Sequence, residues 1–450
     1  MNNYIRIPST LSSFTNTESR IEPAYSGRNV IIFEGQIAVP GTEYCHKCQN
    51  KMHIHSNQKR TLSHIPFGSS LSKISFQQTR YYCPNCHATR NQLVPFKAKN
   101  HFITTELETY AKDLLAYGFT NKEVSEITGL NKNIVKNIDL VRLKDLYTVD
   151  GKTLKKPEKQ AKFLGIDEFK LHDGHQYATV IIDLESGHIL WLAHGKKKEC
   201  VFKFIEHVGE EWMDGVEAVA CDMNSDFQEA FEEKCCHIQV VFDHFHIVKN
   251  FNDKVVSEIR KDEAKRLREE GNYEAAVALK KTKYILTSSR KTLEKKDGEA
   301  AEGKVIKKSG ELFKRPEISR TEGYLDRYEQ LIAENKLLFA ADIVKEKLSV
   351  AYTLEDEIKM ADEISEIIEI CRETGNRHFL WFARLLDNHF EGIIAHATYK
   401  ISTGKLEGIN NKIKTVRRQG YGYPDDDYFF LKLFDYSRKT YVRNPISHKI

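Results

Sequence analysis

Residues 162–243 hold the most regular apolar patterning in the chain, and this stretch limits the fold more than any other. The run KFLGIDEF at 162–169 predicts a strand, and 176–184 predicts a second. A tight Glu185-Ser186-Gly187 turn leads to a third at 188–194. A helix over 197–208, a strand over 216–222, a helix over 225–235 and a strand over 237–243 complete the order β-β-β-α-β-α-β. Two of these strands run into carboxylates, Asp167 in GIDEF and Asp222 in VEAVACDMNSDF.

That order is the one found in ribonuclease-H-like α/β folds, where the first and fourth strands lie side by side. Asp167 and Asp222 are then expected across one pair of neighbouring strands. A third carboxylate, Glu407, sits 185 residues beyond Asp222 on a basic helix expected from Ser402 or Thr403 to about Gln419. Three converging carboxylates suit a two-metal phosphoryl-transfer site, because hard cations such as Mg²⁺ take oxygen ligands. Glu168 follows Asp167 directly, but adjacent strand residues point to opposite faces, so only one of them can join the site.

The 450 residues exceed one typical core, so several domains are expected. Lys+Arg 68 against Asp+Glu 64 leaves a net charge of only +4, so any argument for nucleic acid must come from local clusters. No apolar run reaches the roughly 18 residues of a membrane span. The first twenty residues lack a secretory apolar core, so a cytoplasmic location is expected and no membrane partner. No phosphate loop of the Gly-x4-Gly-Lys type occurs, so no nucleotide cofactor is expected.

Four of the nine cysteines form two Cys-x2-Cys pairs, Cys45/Cys48 and Cys83/Cys86. Such pairs aim thiolates at one tetrahedral, structural Zn²⁺, and four thiolates leave no open position for catalysis. The long spacer between the pairs implies a loop, with strands around Ile74 and Phe76. Residues 101–148 predict helices, the second opened by the capping box Thr120-Asn-Lys-Glu123 and broken at Gly129. A third runs from Lys132 to about Leu146, with Ile134, Val135, Ile138, Leu140 and Val141 inward. That is a helix-turn-helix pattern, with Lys132, Asn133, Lys136 and Asn137 outward for phosphates and base edges. A solvated helical hairpin is the alternative.

The expected organisation is an N-terminal arm (1–39), a zinc ribbon (40–100), a helix-turn-helix domain (101–148) and a basic linker (149–162). A ribonuclease-H-like core follows in two parts (163–250 and 401–436), split by a large helical insertion (251–400) and closed by a basic tail (437–450). Within the insertion, residues 295–310 read as an exposed loop.

Several blocks together resemble the DDE transposases of bacterial insertion sequences, specifically the family called ISL-three. They are the Cys-x2-Cys pairs, GIDEF, CDMNSDF, FDHFHIVK and, most specific, GKLEGINNKIKTVRRQGYGY. The resemblance spans nearly the whole chain. It implies catalytic Asp167, Asp222 and Glu407 holding two Mg²⁺ ions, with Mn²⁺ able to substitute. It also implies binding to double-stranded terminal inverted repeats and target DNA, followed by cleavage and strand transfer. A homodimer on DNA is expected because both ends are cut together. Asn410, Asn411 and Lys414 share the Glu407 face, and Lys412, Arg417 and Arg418 add a basic edge for DNA.

Asp243 and His246 form an Asp-x-x-His spacing that supports either the site or the local packing. Trp381 reads first as a core residue, with stacking on a flipped base as the sharper alternative. Two other functions remain open on the residues alone. One is a ribonuclease-H-like nuclease or resolvase; the other is a DNA-binding regulator with an inactive core.

Overall fold

The computed structural model describes residues 11, 13–23, 27–38, 41–223, 225–303, 305–307, 318–319, 323–420 and 422–439. It forms two compact units, Met1–Lys155 with Val416–Lys432, and Lys156–Thr415 with Leu433–Ile450.

The first unit begins with β1 (Phe14–Pro23), β2 (Asn29–Ile37), β3 (His53–Phe67), β4 (Ser70–Tyr82) and β5 (Thr89–Asn91). They form one sheet in the order β1-β2-β4-β3, with β5 on β4. The expected N-terminal arm is therefore corrected: its residues 14–23 and 29–37 are sheet strands. The reason lies in β2, which is flanked on both sides and buries Val30, Ile32, Phe33 and Ile37. The expected loop between the cysteine pairs is likewise mostly the long β3–β4 hairpin.

Three helices follow, α1 (Thr105–Tyr117), α2 (Asn121–Thr128) and α3 (Lys132–Tyr147). The Thr120–Glu123 capping box is formed, and Gly129 ends α2 at φ 73°. Val124, Leu130, Val135 and Ile138 close a core with Leu107 and Leu115 of α1. Val141, expected inward, is exposed.

The second unit contains β6 (Phe163–His172), β7 (Gln176–Asp183), β8 (Ile189–His194), α4 (Lys198–Val208), α5 (Glu210–Met213), β9 (Ala218–Cys221), α6 (Ser225–Lys234) and β10 (Gln239–Phe242). The sheet order is β10-β9-β6-β7-β8. β6, β7 and β8 are antiparallel neighbours, whereas β6, β9 and β10 run parallel. This arrangement fits a ribonuclease-H-like core. The strands are near-continuous apolar runs because both sheet faces are covered.

Helices then follow from residue 244: α7 (His244–Phe251), a π-helical turn (Asn252–Val256), α8 (Ser257–Glu269), α9 (Tyr273–Lys280), α10 (Lys283–Thr287) and α11 (Arg290–Ala301). After the short strands β11 (Val305–Lys307) and β12 (Ile318–Ser319) come α12 (Tyr324–Ala333), α13 (Lys336–Ala351), α14 (Glu357–Glu373), α15 (Arg377–Asn388), α16 (Phe390–Ile394) and α17 (His396–Tyr399). The loop expected at 295–310 is corrected in its first half, where α11 runs through Gly298. These helices share one hydrophobic cluster with the sheet, in which Phe242 and Val240 join Phe379, Phe382 and Ile393. At Gly392 an added Cβ would stand 2.5 Å from the Phe242 ring, so only glycine lets α16 lie this close to β10.

Two helices end the described chain, α18 (Gly404–Gln419) and α19 (Asp426–Ser437). The expected basic tail lies outside the described residues from 440 onward. Among the described residues no helix is long and apolar enough to cross a membrane.

Candidate functional site

Pairing of β6 with β9 ends at Ile166 and Cys221, so Asp167 and Asp222 are the next residue on each strand. β6 itself continues to His172 against β7, three residues beyond the expected end at 169. Each aspartate is oriented by its own backbone turn: Glu168 N–H donates to Asp167 Oδ1 at 2.8 Å, and Met223 N–H to Asp222 Oδ1 at 2.7 Å.

Helix α18 is brought against β6 by small-to-large complementarity. Gly165 has no Cβ, and one built there would meet Leu406 at 3.0 Å. Leu406, Ile409 and Ile413 are the buried stripe. One turn after Glu407, Asn410 Nδ2 donates to Asp167 Oδ2 at 2.6 Å. Asn410 Oδ1 is buried without a protein partner. Glu407 is exposed in the first turn of the helix.

His246 Nδ1 lies 3.2 Å from Asp222 Oδ1, so the Asp-x-x-His spacing delivers its histidine to the second aspartate. Asp243 does something different. Its Oδ1 caps α7 by accepting from Phe245 N–H at 3.2 Å. Its Oδ2 accepts from Thr403 N–H at 2.8 Å and also from the Thr403 hydroxyl. Thr403 O in turn accepts from Glu407 N–H at 2.9 Å.

Burial pushes the Asp167 carboxyl above the usual carboxylate range, and Asp222 adds to this. The Glu168 N–H, Asn410 and His246 oppose the shift without cancelling it. A desolvated carboxylate beside a second one favours a cation between them. The donor set is all oxygen, which fits Mg²⁺ or Mn²⁺ and not a soft metal. Asp167, Asp222 and Glu407 are the residues that could hold it. The three are not drawn into a tight cluster: among the described residues the group of three or more ligand side chains within 4.8 Å is Cys45, Cys48, Cys83 and Cys86.

Those four sulfurs fit a tetrahedral Zn²⁺. Cys45 and Cys86 Sγ are 3.4 Å apart, and Cys48 Sγ lies 3.5 Å from that of Cys83. The knuckle backbone favours thiolate: the Asn50 N–H, with the Asn85 side chain, lowers Cys48 to about 6. His64 is turned away from the cysteines and meets Thr104 Oγ1 through Nδ1 at 2.9 Å.

On α3, Lys132, Asn133 and Asn137 are exposed as expected. Lys136 is not an open cation; its Nζ sits 2.8 Å from Asp425. On α18, Asn411, Lys412, Lys414 and Arg418 are exposed and Arg417 is half-buried. Trp381 is 37% exposed between the buried Phe379 and Phe382, which corrects the core reading.

Sequence reasoning missed three groups. His389 from the helical block lies near Asp222, its ring 4.9 Å from Phe242. Thr403 was seen only as a helix cap. Asp139, fully buried in α3, accepts from Arg142, Lys432 and Tyr428 at 2.8, 2.9 and 2.7 Å. An aspartate at an inward helical position was the available signal for that network.

The family model describing transposases of the DDE type named for ISL3 matches residues 164–433. The transposase for insertion sequence element IS1001 of Bordetella parapertussis is 24% identical over 391 residues, covering 86% of this chain and 87% of its own length. The transposase for insertion sequence element IS1557 of Mycobacterium tuberculosis is 23% identical over 260 residues, covering 58% of this chain and 56% of its own length.

Proposed function

The chain belongs to the ISL3 family of DDE transposases, and from that premise we propose that it cuts and joins DNA at Asp167, Asp222 and Glu407. The observation that supports this most directly is the 2.6 Å bond from Asn410 to Asp167, which ties the Glu407 helix to the strand pair carrying both aspartates. The proposed substrate is the terminal inverted repeat of an insertion sequence, with target DNA as the second substrate.

Asp167, Asp222 and Glu407 would hold two divalent cations, which when bound would supply the charge that activates the attacking oxygen and stabilises the leaving one. The side chains of the chain prepare for this. Asn410 and the Glu168 N–H fix both oxygens of Asp167. His246 sets the orientation of Asp222. Asn411, Lys412, Lys414, Arg417 and Arg418 offer donors to phosphates. First a water attacks the phosphodiester at the element boundary, leaving a 3′-hydroxyl on one side of the cut and a 5′-phosphate on the other; that hydroxyl then attacks a phosphodiester of target DNA, bonding to its phosphorus and releasing a target 3′-hydroxyl. No side chain becomes bonded to DNA.

Helices α2 and α3 are read as a helix-turn-helix, with Lys132, Asn133 and Asn137 on the DNA side. Lys136 joins them once it exchanges Asp425 for a phosphate. The four-cysteine zinc ribbon is structural, and the helical block between Asp243 and Thr403 is the insertion in the catalytic core. A homodimer on paired ends is expected, since two ends must be cut in concert.

The test is a labelled repeat-end fragment with target plasmid, in Mg²⁺ or EDTA, using the wild type and Glu407→Gln. Metal-dependent cutting at the boundary with joined products, lost in the variant, is the expected result. Equal cutting by Glu407→Gln would remove the assignment of that residue.

A further inference from the structure

The helical block returns to the sheet through a corner. α15 ends at Asn388 and α16 begins at Phe390, and His389 between them has φ −118° and ψ 18°. Both sides of the corner are anchored. Phe382 of α15 packs on Phe251 with ring centroids 4.7 Å apart. α16 is held to β10 at Gly392, where an added Cβ would stand 2.5 Å from the Phe242 ring. His389 N–H donates to Asp387 O, and His389 O accepts from Ile393 N–H at 3.0 Å. The corner is therefore a fixed mount for the His389 ring, which meets Phe242 edge-to-face with centroids 4.9 Å apart.

That mount stands at the aspartates. Phe242 pairs with Cys221 across the β10–β9 ladder, and Asp222 is the next residue. Neighbouring strands lie about 4.8 Å apart, so the corner closes on the end of β9. Burial lowers the His389 imidazole, and Asp222 is near enough to oppose that shift. Asp222 does not need His389 to orient it: its Oδ1 already accepts from Met223 N–H at 2.7 Å and lies 3.2 Å from His246 Nδ1.

Two side chains at this site bury a polar atom without a protein partner, Asn410 Oδ1 beside Asp167 and His389 Nδ1 on the Asp222 side. Such orphans call for a partner that arrives later or for a functional role. A buried N–H without a partner is rarer than a buried lone pair without one, so the neutral ring carries its proton on Nε2. The half-buried ring thus keeps one N–H donor for whatever enters the site.

We propose that His389 is a further catalytic residue, supplied by the helical block, and that its Nε2–H donates to a non-bridging oxygen of the phosphodiester being cut. The inference rests on the transposase reading and deepens it by giving the block a chemical part in the reaction. A donor held ready on a rigid mount stabilises the charge that builds on the phosphate oxygens without reorganising at the moment of attack.

The experiment is single-turnover cutting of a repeat-end fragment whose boundary phosphodiester is either all-oxygen or one of the two phosphorothioate diastereomers. Full-length wild type is compared with His389→Phe, which keeps a ring without a donor, and His389→Gln, which keeps a donor. Mg²⁺ and Mn²⁺ are both used, because sulfur at a metal contact is tolerated better by the softer ion. In the wild type one diastereomer should be cut about tenfold more slowly in both metals, the size of one lost hydrogen bond. His389→Phe should cut the all-oxygen fragment about a hundredfold more slowly, and that diastereomer should carry no further penalty. His389→Gln should recover much of the rate and the penalty, and gel-shift binding in EDTA should match the wild type in both variants. A sulfur penalty that persists in His389→Phe overturns the proposal, as does a His389→Gln rate no better than that of His389→Phe. Parallel loss of binding and cutting also overturns it, by showing a structural role. Absence of cutting by the wild type in either metal would sink the transposase reading itself, whereas wild-type cutting with an unaltered sulfur pattern in the variants sinks His389 alone.

Discussion

Asn410 donates its amide N–H to Asp167 at 2.6 Å across 243 residues of sequence. The bond orients the more buried of the two strand-borne aspartates and does so from the helix of Glu407. Losing a hydrogen bond to a charged group costs about 1.5–3 kcal/mol. Asn410→Ala should therefore slow DNA cutting roughly ten- to a hundredfold, at 1.36 kcal/mol per factor of ten. Binding of the repeat should stay within about twofold, because the proposed sequence-reading contacts are those of α3. A single-turnover cutting assay beside a gel-shift titration separates the two. Parallel loss of both would show that Asn410 only holds the fold together.

His246 stands 3.2 Å from Asp222 through Nδ1, and its other ring nitrogen is left to face away from that carboxylate. His246→Ala should lower the cutting rate while His246→Gln, which can still donate toward Asp222, retains more of it. The measurement is the single-turnover rate at saturating protein. Equal rates for the two variants would remove the orienting role.

The strand order around Asp167 and Asp222 was legible because both sit at apolar runs of strand length, and ββαβ-type connectivity leaves few arrangements. The Thr120 capping box was legible because Thr120 and Glu123 are three residues apart, and the cysteine cluster because each Cys-x2-Cys pair is itself a local spacing, although the two pairs meet 35–41 residues apart. What escaped was long-range. The Asn410–Asp167, Thr403–Asp243 and Tyr428–Asp139 bonds join residues 243, 160 and 289 positions apart. No local periodicity encodes them. The strands of 14–37 escaped because β2 is made a central strand by β4, which lies some forty residues further on.

The four cysteine sulfurs predict one structural Zn²⁺ per chain. Metal analysis of protein purified without chelator should find close to one equivalent. Cys48→Ser should lose it and become sensitive to proteolysis within residues 41–91, because the two knuckles and the β3–β4 hairpin share a small core of Cys45, Met52, Tyr81 and Cys83. Full zinc content in Cys48→Ser would exclude this assignment.

Asp139 predicts a pH effect on stability. Burial raises its carboxyl, but Lys432 and Arg142 more than offset that, so its folded pKa is below the usual value. A depressed carboxylate contributes stability above its unfolded pKa of about 3.9, and the contribution disappears as pH falls through the folded value. Asp139→Asn should cost about 3–5 kcal/mol at pH 7, since it leaves two buried cations without their anion. Its penalty should shrink below pH 4. Urea melts at pH 7 and pH 3 measure both; a penalty independent of pH would rule out the ion-pair account.

Thr403 and Asp243 close the 160-residue helical block at its base. Asp243 is 6% exposed, and so is Thr403. The carboxylate takes the Thr403 N–H and hydroxyl on one oxygen and caps α7 with the other, so one side chain fixes where the block departs and where α18 begins. The threonine carbonyl then accepts from the Glu407 N–H, which carries the constraint to the third carboxylate. Thr403→Val keeps the shape of the side chain but removes the hydroxyl donor, and an unmet buried acceptor costs about 1–3 kcal/mol. Thr403→Ser restores the donor and loses only a methyl group. If the clasp positions Glu407, Val should reduce the cutting rate by about tenfold or more with unchanged repeat binding, and Ser should recover most of it. If the pair serves stability alone, Val should lower the melting temperature while the rate of the folded fraction stays at the wild-type value.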